Sequence, residues 1–187
     1  MKRIINPTTL LCPVPPVMVS CSDGERDNII TIAWTGIINS EPPLTYVSIR
    51  PSRYSFDMVK KTKEFVINLT DGNLAFAADY CGVKSGREVD KFHQLGLNKE
   101  KGELVDCPMI KEAPINLECK VIEEQVYGTH HMFVAEIVKV HVKDSLYDEN
   151  DKLDLSKANL VSYQNGKYFQ TAESYLGKTG FSVAKKK

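Results

Sequence analysis

The segment from Asn28 to Ser55 constrains the fold of this chain more than any other. Asn28 to Trp34 is dense in β-branched residues (Ile29, Ile30, Thr31, Ile32) and reads as a strand. It runs into the small residues Thr35 and Gly36. Pro42-Pro43 then supplies a turn, and Leu44 to Ile49 is a second strand. Directly after it come Arg50, Ser52, Arg53 and Ser55, where Arg53 to Thr62 carries a helical pattern with Ser52 as a candidate N-cap. A helix N-terminus exposes unpaired N–H groups and a partial positive charge. With guanidiniums and hydroxyls beside it, it suits a phosphate. Ordinary capping is the simpler reading, but it accounts for one serine and not for two arginines.

The rest of the chain sets strands at both ends of a helical middle. Val14 to Cys21 and Glu64 to Leu69 read as strands. Asn73 to Tyr80 reads as a helix stopped by Cys81-Gly82, and Arg87 to Gln94 as a short helical turn ending at Gly96. Lys99 to Pro114 reads as an irregular crossing. Leu117 to Val126 and Met132 to Val142 are two long strands around Tyr127-Gly128-Thr129, followed by an acidic loop, Asp144 to Asp154. Two short apolar pieces, Leu160 to Tyr163 and Tyr168 to Phe169, precede a Lys185-Lys186-Lys187 end that reads as frayed. This order predicts a mainly β protein, an antiparallel β-barrel with attached helices, rather than a doubly wound sheet. A length of 187 residues with no internal repeat or low-complexity linker favours one domain over 1–187.

Composition removes several function classes. Twenty-four basic residues balance 24 acidic ones, so there is no bulk drive toward nucleic acid or an anionic membrane, and any anion site must be local. The longest apolar run, Ile29 to Ile38, falls short of the roughly 20 residues a membrane helix needs, and Thr31, Thr35 and Gly36 interrupt it. The prolines at 7, 13, 15 and 16 spoil an N-terminal apolar helix, so the expectation is a cytosolic chain. Five widely spaced cysteines without a Cys-x-x-Cys pair fit neither a disulfide framework nor a zinc ribbon, and no metal is expected. Gly177-Lys178-Thr179 mimics a phosphate-binding loop but has Ala172 where that pattern needs glycine. No Gly-x-Gly-x-x-Gly fingerprint is present, and Asp148 to Leu153 lacks the sixth-position glycine of a calcium loop.

Taken together, Asn28-Ile-Ile-Thr-Ile-Ala-Trp-Thr-Gly36, Pro42-Pro43 and Ser48-Ile-Arg-Pro-Ser-Arg-Tyr-Ser55 resemble the flavin reductase-like family, which includes flavoredoxins and ferric and flavin reductases. Glu64 to Leu69, Cys81-Gly-Val-Lys-Ser-Gly-Arg-Glu-Val-Asp-Lys-Phe92 and His130-His-Met-Phe-Val-Ala-Glu-Ile137 agree in order with its later segments, so the resemblance runs from about Val14 to Val140. It implies an FMN-binding split barrel and a homodimer with FMN near the subunit interface. The implied reaction passes hydride from NAD(P)H to FMN and on to a small-molecule or protein acceptor. The flavin carries that chemistry, so the lack of a catalytic triad is no obstacle.

By that resemblance, Arg50, Ser52, Arg53 and Ser55 form the phosphate grip, with Arg50 and Ser55 foremost, and Ser48 is a further cofactor-binding residue. Thr31, Ala33, Trp34, Thr35 and Gly36 lie along the isoalloxazine, with Gly36 permitting close approach. A lone tryptophan in such a strand otherwise reads as core. Cys81, Ser85, Gly86 and Lys91 form a second phosphate-side loop, although a lysine is ordinarily solvated and Cys81 could equally be a small buried hydrophobe. His130 falls on the nicotinamide side as the candidate catalytic residue. His131 points to the opposite strand face, so the pair does not suit one metal. Tyr175 and Gly177 are candidate covers for the flavin or the dimer contact. Two other readings need the same grip: a flavoredoxin-like electron carrier, and an FMN-binding protein without turnover of its own.

Overall fold

A computed structural model of the chain describes residues 1–171, 179 and 181–183. The expectations for Tyr175, Gly177 and the terminal lysines lie outside the described residues. In chain order, β1 (Val17–Ser22), β2 (Asp27–Ile32), β3 (Thr35–Asn39) and β4 (Leu44–Ile49) precede helix α1 (Tyr54–Thr62) and β5 (Glu64–Asn68). Helices α2 (Ala75–Val83) and α3 (Lys91–Leu95) follow, then β6 (Lys99–Lys101) and β7 (Pro108–Ile110), the long β8 (Ile115–Tyr127) and β9 (His130–Val142), and the ribbon β10 (Val161–Gln164) and β11 (Lys167–Gln170).

Seven strands form one antiparallel sheet in the order β2-β1-β5-β8-β9-β4-β3. Its two edge strands, β2 and β3, are consecutive in the chain, so the sheet curls back on itself and meets at Ala33-Trp34. There Ser48 N–H donates to the Trp34 carbonyl at 3.0 Å. This is the mainly β barrel that the order of elements implied, in the split-barrel form that the resemblance implied.

Period-two alternation sorts each strand between two cores. Val17, Val19 and Cys21 of β1, Ile30 and Ile32 of β2, and Val47 and Ile49 of β4 fill the barrel together with Phe56, Met58 and Val59 of α1. Met18 and Ile29 face the other way, under Leu74, Ala77, Ala78 and Cys81 around α2 and Phe92 of α3. β1 is buried along its whole length because it carries both cores. A buried carboxylate fixes the long β6–β7 crossing. Glu118 of β8 accepts from the N–H groups of Glu103, Leu104 and Val105 at 3.0, 2.7 and 2.9 Å and pairs with His141 Nε2 at 2.5 Å.

Four local readings are corrected. The strand predicted over Asn28 to Trp34 stops at Ile32, because the sheet turns its corner at Ala33-Trp34. Trp34 is consequently 46% exposed rather than core. The helix predicted over Asn73 to Tyr80 runs on through Cys81-Gly82 to Val83 after a 3-10 turn at Gly72–Leu74; a side chain at Gly82 would just touch Thr31 of β2. Lys99 to Pro114 is not irregular throughout, since β6 and β7 pair within it. The two apolar tail pieces are the arms of the β10–β11 ribbon. That ribbon is pinned to the body by mutual Val14–Tyr163 backbone bonds of 3.0 and 2.8 Å and by Val161 N–H donating to Thr70 O at 3.0 Å.

Candidate functional site

The barrel corner, the α1 N-terminus, α2 and the β10–β11 ribbon converge on two adjoining cavities. The wide one holds about 450 Å³. Its walls come from Ile30 to Trp34, Ser48 to Arg50, Arg53, Asp79 with Gly82 and Val83 of α2, His130, and Tyr163 with Tyr168 of the ribbon. The narrow one, about 130 Å³, is walled by Asn28, Ser52 to Ser55, Cys81, Lys84 to Gly86 and Lys91. Ile30, Arg53 and Gly82 line both, so the narrow chamber opens from the wide one beside Arg53.

The narrow chamber gathers groups that suit an anion. Arg53, not Ser52, is the N-cap of α1; its backbone is extended and no side chain caps the helix, because a turn closed by Arg53 N–H to Arg50 O (2.9 Å) places the start one residue later. The helix start therefore keeps its first donors free of a side-chain cap, and the chamber beside it is lined by Ser52, Ser55 and Ser85, which carry hydroxyls, and by Arg53, Lys84 and Lys91, which carry charge. Ser55 is buried and accepts from Asn28 Nδ2 at 2.8 Å.

Lys91 departs from the solvated-lysine reading: it is 3% exposed. Its ammonium donates to Ile29 O at 2.6 Å and Cys81 O at 2.9 Å. A lysine has three donors, so one remains for a ligand in the chamber it lines. Burial lowers its pKa. The sulfurs of Cys81 and Cys21 oppose that shift, and the Arg53 charge adds to it. A bound dianion would reverse the cost.

Gly86 closes the chamber wall. A Cβ there would sit 2.2 Å from Asn28 Oδ1 and 2.5 Å from Tyr54 Cδ1. Arg87 braces the same loop, donating to Ser52 O at 3.1 Å with its guanidinium 5.4 Å over the Tyr54 ring.

The wide cavity has a cationic wall and a phenolic wall. Arg50 and Arg53 stand on the first with His130, whose Nδ1 lies 2.9 Å from Thr129 Oγ1. Partial burial and the two arginines hold His130 below the ordinary histidine value, so it is neutral at neutral pH. His131 faces away, bonded to Glu124 at 2.7 Å and packed edge-on to Phe56, as strand alternation requires. Tyr163 and Tyr168 supply the phenols; burial, Asp79 and Tyr163 push Tyr168 up to about 12, which keeps its hydroxyl a donor. Thr31 donates to the Ala78 carbonyl, tying β2 to α2. The Cys81 thiol is pushed up to about 11 by burial, against the pull of Lys91, and is a packing group rather than a nucleophile.

Of the sequence-predicted residues, Thr31, Ala33, Trp34, Ser48, Arg50, Arg53 and His130 meet in the wide cavity, and Ser52, Arg53, Ser55, Cys81, Ser85, Gly86 and Lys91 in the narrow one. Thr35 and Gly36 line neither. Thr35 Oγ1 donates to Tyr46 O at 2.5 Å, and the space above Gly36 is taken by the Tyr46 ring, whose nearest atom a Cβ would meet at 3.3 Å. Sequence reasoning passed over Asn28, Tyr54, Asp79, Lys84, Tyr163 and Tyr168 as site residues. The ribbon tyrosines carried no local signal, because long-range backbone pairings such as Val14–Tyr163 and Val161–Thr70 bring them to the corner.

This arrangement is that of a flavin-binding split barrel, and the chain belongs to the family of the flavin reductase like domain, whose model matches residues 10–172. Three solved structures are similar to it. The flavoredoxin of Desulfovibrio vulgaris (Miyazaki F) is 31% identical with a TM-score of 0.91, the match covering 98% of this chain and 100% of that one. The flavoredoxin of Methanosarcina acetivorans is 28% identical with a TM-score of 0.88, again over 98% and 100%. An FMN-binding protein of Thermus thermophilus is 25% identical with a TM-score of 0.80, over 95% of this chain and 97% of that one. The family assigns the chain a flavin cofactor and an oxidoreductase character. Among the described residues no helix is long and apolar enough to cross a membrane.

Proposed function

We propose that the chain, acting as one domain, holds FMN and serves as an NAD(P)H-dependent flavin reductase-like oxidoreductase. The observation that carries this reading is the pair of joined chambers. The narrow one presents the free donor of buried Lys91 beside Ser52, Ser55, Ser85 and Arg53, dimensions and donors that fit a phosphate monoester. The wide one offers backbone and aromatic walls for a ring system. The resemblance to flavoredoxins and to an FMN-binding protein supports the mononucleotide over other flavins. When bound, FMN supplies acceptance of hydride from NAD(P)H and its delivery to free flavin, ferric iron or another small acceptor.

The residues have separate tasks. Arg50 and Arg53 attract and hold anionic groups, Lys91 and the serines fix the phosphate, and Thr31 to Trp34 set the plane along which a ring lies. His130, neutral and partly buried beside the arginines, is assigned the nicotinamide side in this reading and can hold a proton at Nδ1 or Nε2. A homodimer is part of the same proposal. Ile37 and Ile38 on β3 and Ile122, Val126, Tyr127 and Val140 on β8 and β9 are large exposed apolar side chains that a second copy would cover.

The test is the visible absorption spectrum of purified protein before and after FMN is added and the excess removed, followed by steady-state NAD(P)H oxidation with free flavin or ferric chelate. Retained flavin bands with turnover support the reading; a colourless protein that never retains FMN refutes it. A second reading, an electron carrier for protein partners, is favoured by the 0.91 TM-score to a flavoredoxin. Retained FMN without turnover on any small acceptor would select it.

A further inference from the structure

Arg87 lines neither chamber, yet it touches three of the residues that wall the narrow one. Its Nη1 donates to the Ser52 carbonyl at 3.1 Å, across 35 residues of chain. Its guanidinium lies 5.4 Å over the Tyr54 ring. Its backbone N–H donates to Ser85 Oγ at 3.2 Å. The Ser85 carbonyl accepts the next two N–H groups, those of Glu88 and Val89, at 3.1 and 3.3 Å, so the loop is wound around that serine. Among the described residues no carboxylate forms an ion pair with Arg87. An exposed arginine is ordinarily a solvated charge. This one is aimed instead at a carbonyl and a ring of the opposite segment.

The phosphate grip has two halves, the turn from Arg50 to Ser55 and the loop from Lys84 to Gly86, and a phosphate held by both needs a fixed gap between them. Gly86 packs so closely on Asn28 and Tyr54 that a single Cβ would collide, which limits how near the halves come. Arg87 limits how far they part. Arginine suits that task, because its planar fork donates at one edge while its face rests on an aromatic ring. A lysine has a single charged nitrogen on a flexible stem and no flat face to stack. The Arg87 N–H also fills one acceptor site of Ser85 Oγ, leaving the hydroxyl proton for a ligand. We propose that Arg87 is a positioning residue of the phosphate grip, tying its two halves together and acting on a bound phosphate through Ser52, Tyr54 and Ser85 without touching it. This rests on the proposed function in taking the narrow chamber as the phosphate site.

Arg87→Lys keeps the charge and loses the fork, whereas Arg87→Met loses both. Fluorescence titrations with FMN and with riboflavin, which lacks only the phosphate, give the ratio of the two affinities. Both variants should weaken FMN relative to riboflavin by about five-fold or more, the worth of one hydrogen bond of about 1 kcal/mol. In flavin-free protein, amide hydrogen exchange over residues 85–89 should quicken by a similar factor in both, because the loop opens more often once untied. An Arg87→Lys protein with the parent's ratio would show that charge alone matters and would overturn the proposal. Unchanged exchange, or riboflavin weakened as much as FMN, would overturn it too. Arg87→Lys carries the test should Arg87→Met fail to fold. A parent protein that never binds FMN counts against the proposed function, while the exchange still reads whether Arg87 ties the loop.

Discussion

Replacing Gly86 with alanine adds one methyl group at the tightest point of the site. The new Cβ would lie 2.2 Å from Asn28 Oδ1, 2.7 Å from Asn28 Cγ and 2.5 Å from the Tyr54 ring, each well inside van der Waals contact. None of these neighbours is free to swing away. Asn28 is 3% exposed on β2 and holds Ser55 through a 2.8 Å bond, while Tyr54 is clamped under Arg87. Relief therefore requires either breaking the Asn28–Ser55 bond or pushing the Ser85-Gly86 loop outward. Overpacking of this kind costs about 1–3 kcal/mol, and a buried polar pair left unmade adds about 1–3 kcal/mol. We expect Gly86→Ala to lose about 2–4 kcal/mol, a large share of the roughly 5–15 kcal/mol that holds a domain folded. Urea unfolding measures the loss, and an FMN titration of the folded fraction measures the damage to the chamber. A variant as stable as the parent, with unchanged FMN affinity, would refute the geometry of this wall and with it the assignment of the narrow chamber.

Three further outcomes are expected. Arg50→Ala should weaken FMN binding by about 1.5–3 kcal/mol, or about ten- to hundred-fold in Kd, read by fluorescence titration; an unchanged Kd in folded protein removes Arg50 from the site. Lys91→Met keeps the length of the side chain but deprives Ile29 O and Cys81 O of their donor, so a stability loss of about 1–3 kcal/mol should accompany weaker FMN binding. Loss of stability with FMN affinity intact would make Lys91 structural only. For Glu118, burial works to raise the pKa, but the three N–H bonds and His141 outweigh it, so the folded value is lowered. Its contribution is present above the ordinary carboxylate range and is lost as pH falls through the lowered folded value. Glu118→Gln should be less stable at neutral pH and lose less on acidification than the parent; parallel pH–stability curves would show that this carboxylate is not the titrating group.

The sequence by itself determined β1, β2, β4, β5, β8, β9 and the charged cluster after β4, because β-branched runs and turn residues act over a few neighbours, but not β3 or the short β6–β7 pair. Arg50 to Ser55 were legible as a candidate anion grip for the same reason, being close together with the residue types a phosphate needs, whereas Ser85 to Lys91 came in only through the family resemblance. Three things were decided only by tertiary structure. Trp34 is exposed because the barrel turns its corner there, an event set by β2 and β3 becoming the two edges of one sheet. Lys91 is buried because α3 docks it against the carbonyls of Ile29 and Cys81, which lie 62 and 10 residues away in the chain. Tyr163 and Tyr168 reach the site because the ribbon pairs with Val14, a contact with no local trace in the sequence. Short-range patterns record what a segment can become, whereas the cost of burying a charge or exposing an indole depends on which distant segments the folded chain sets beside it.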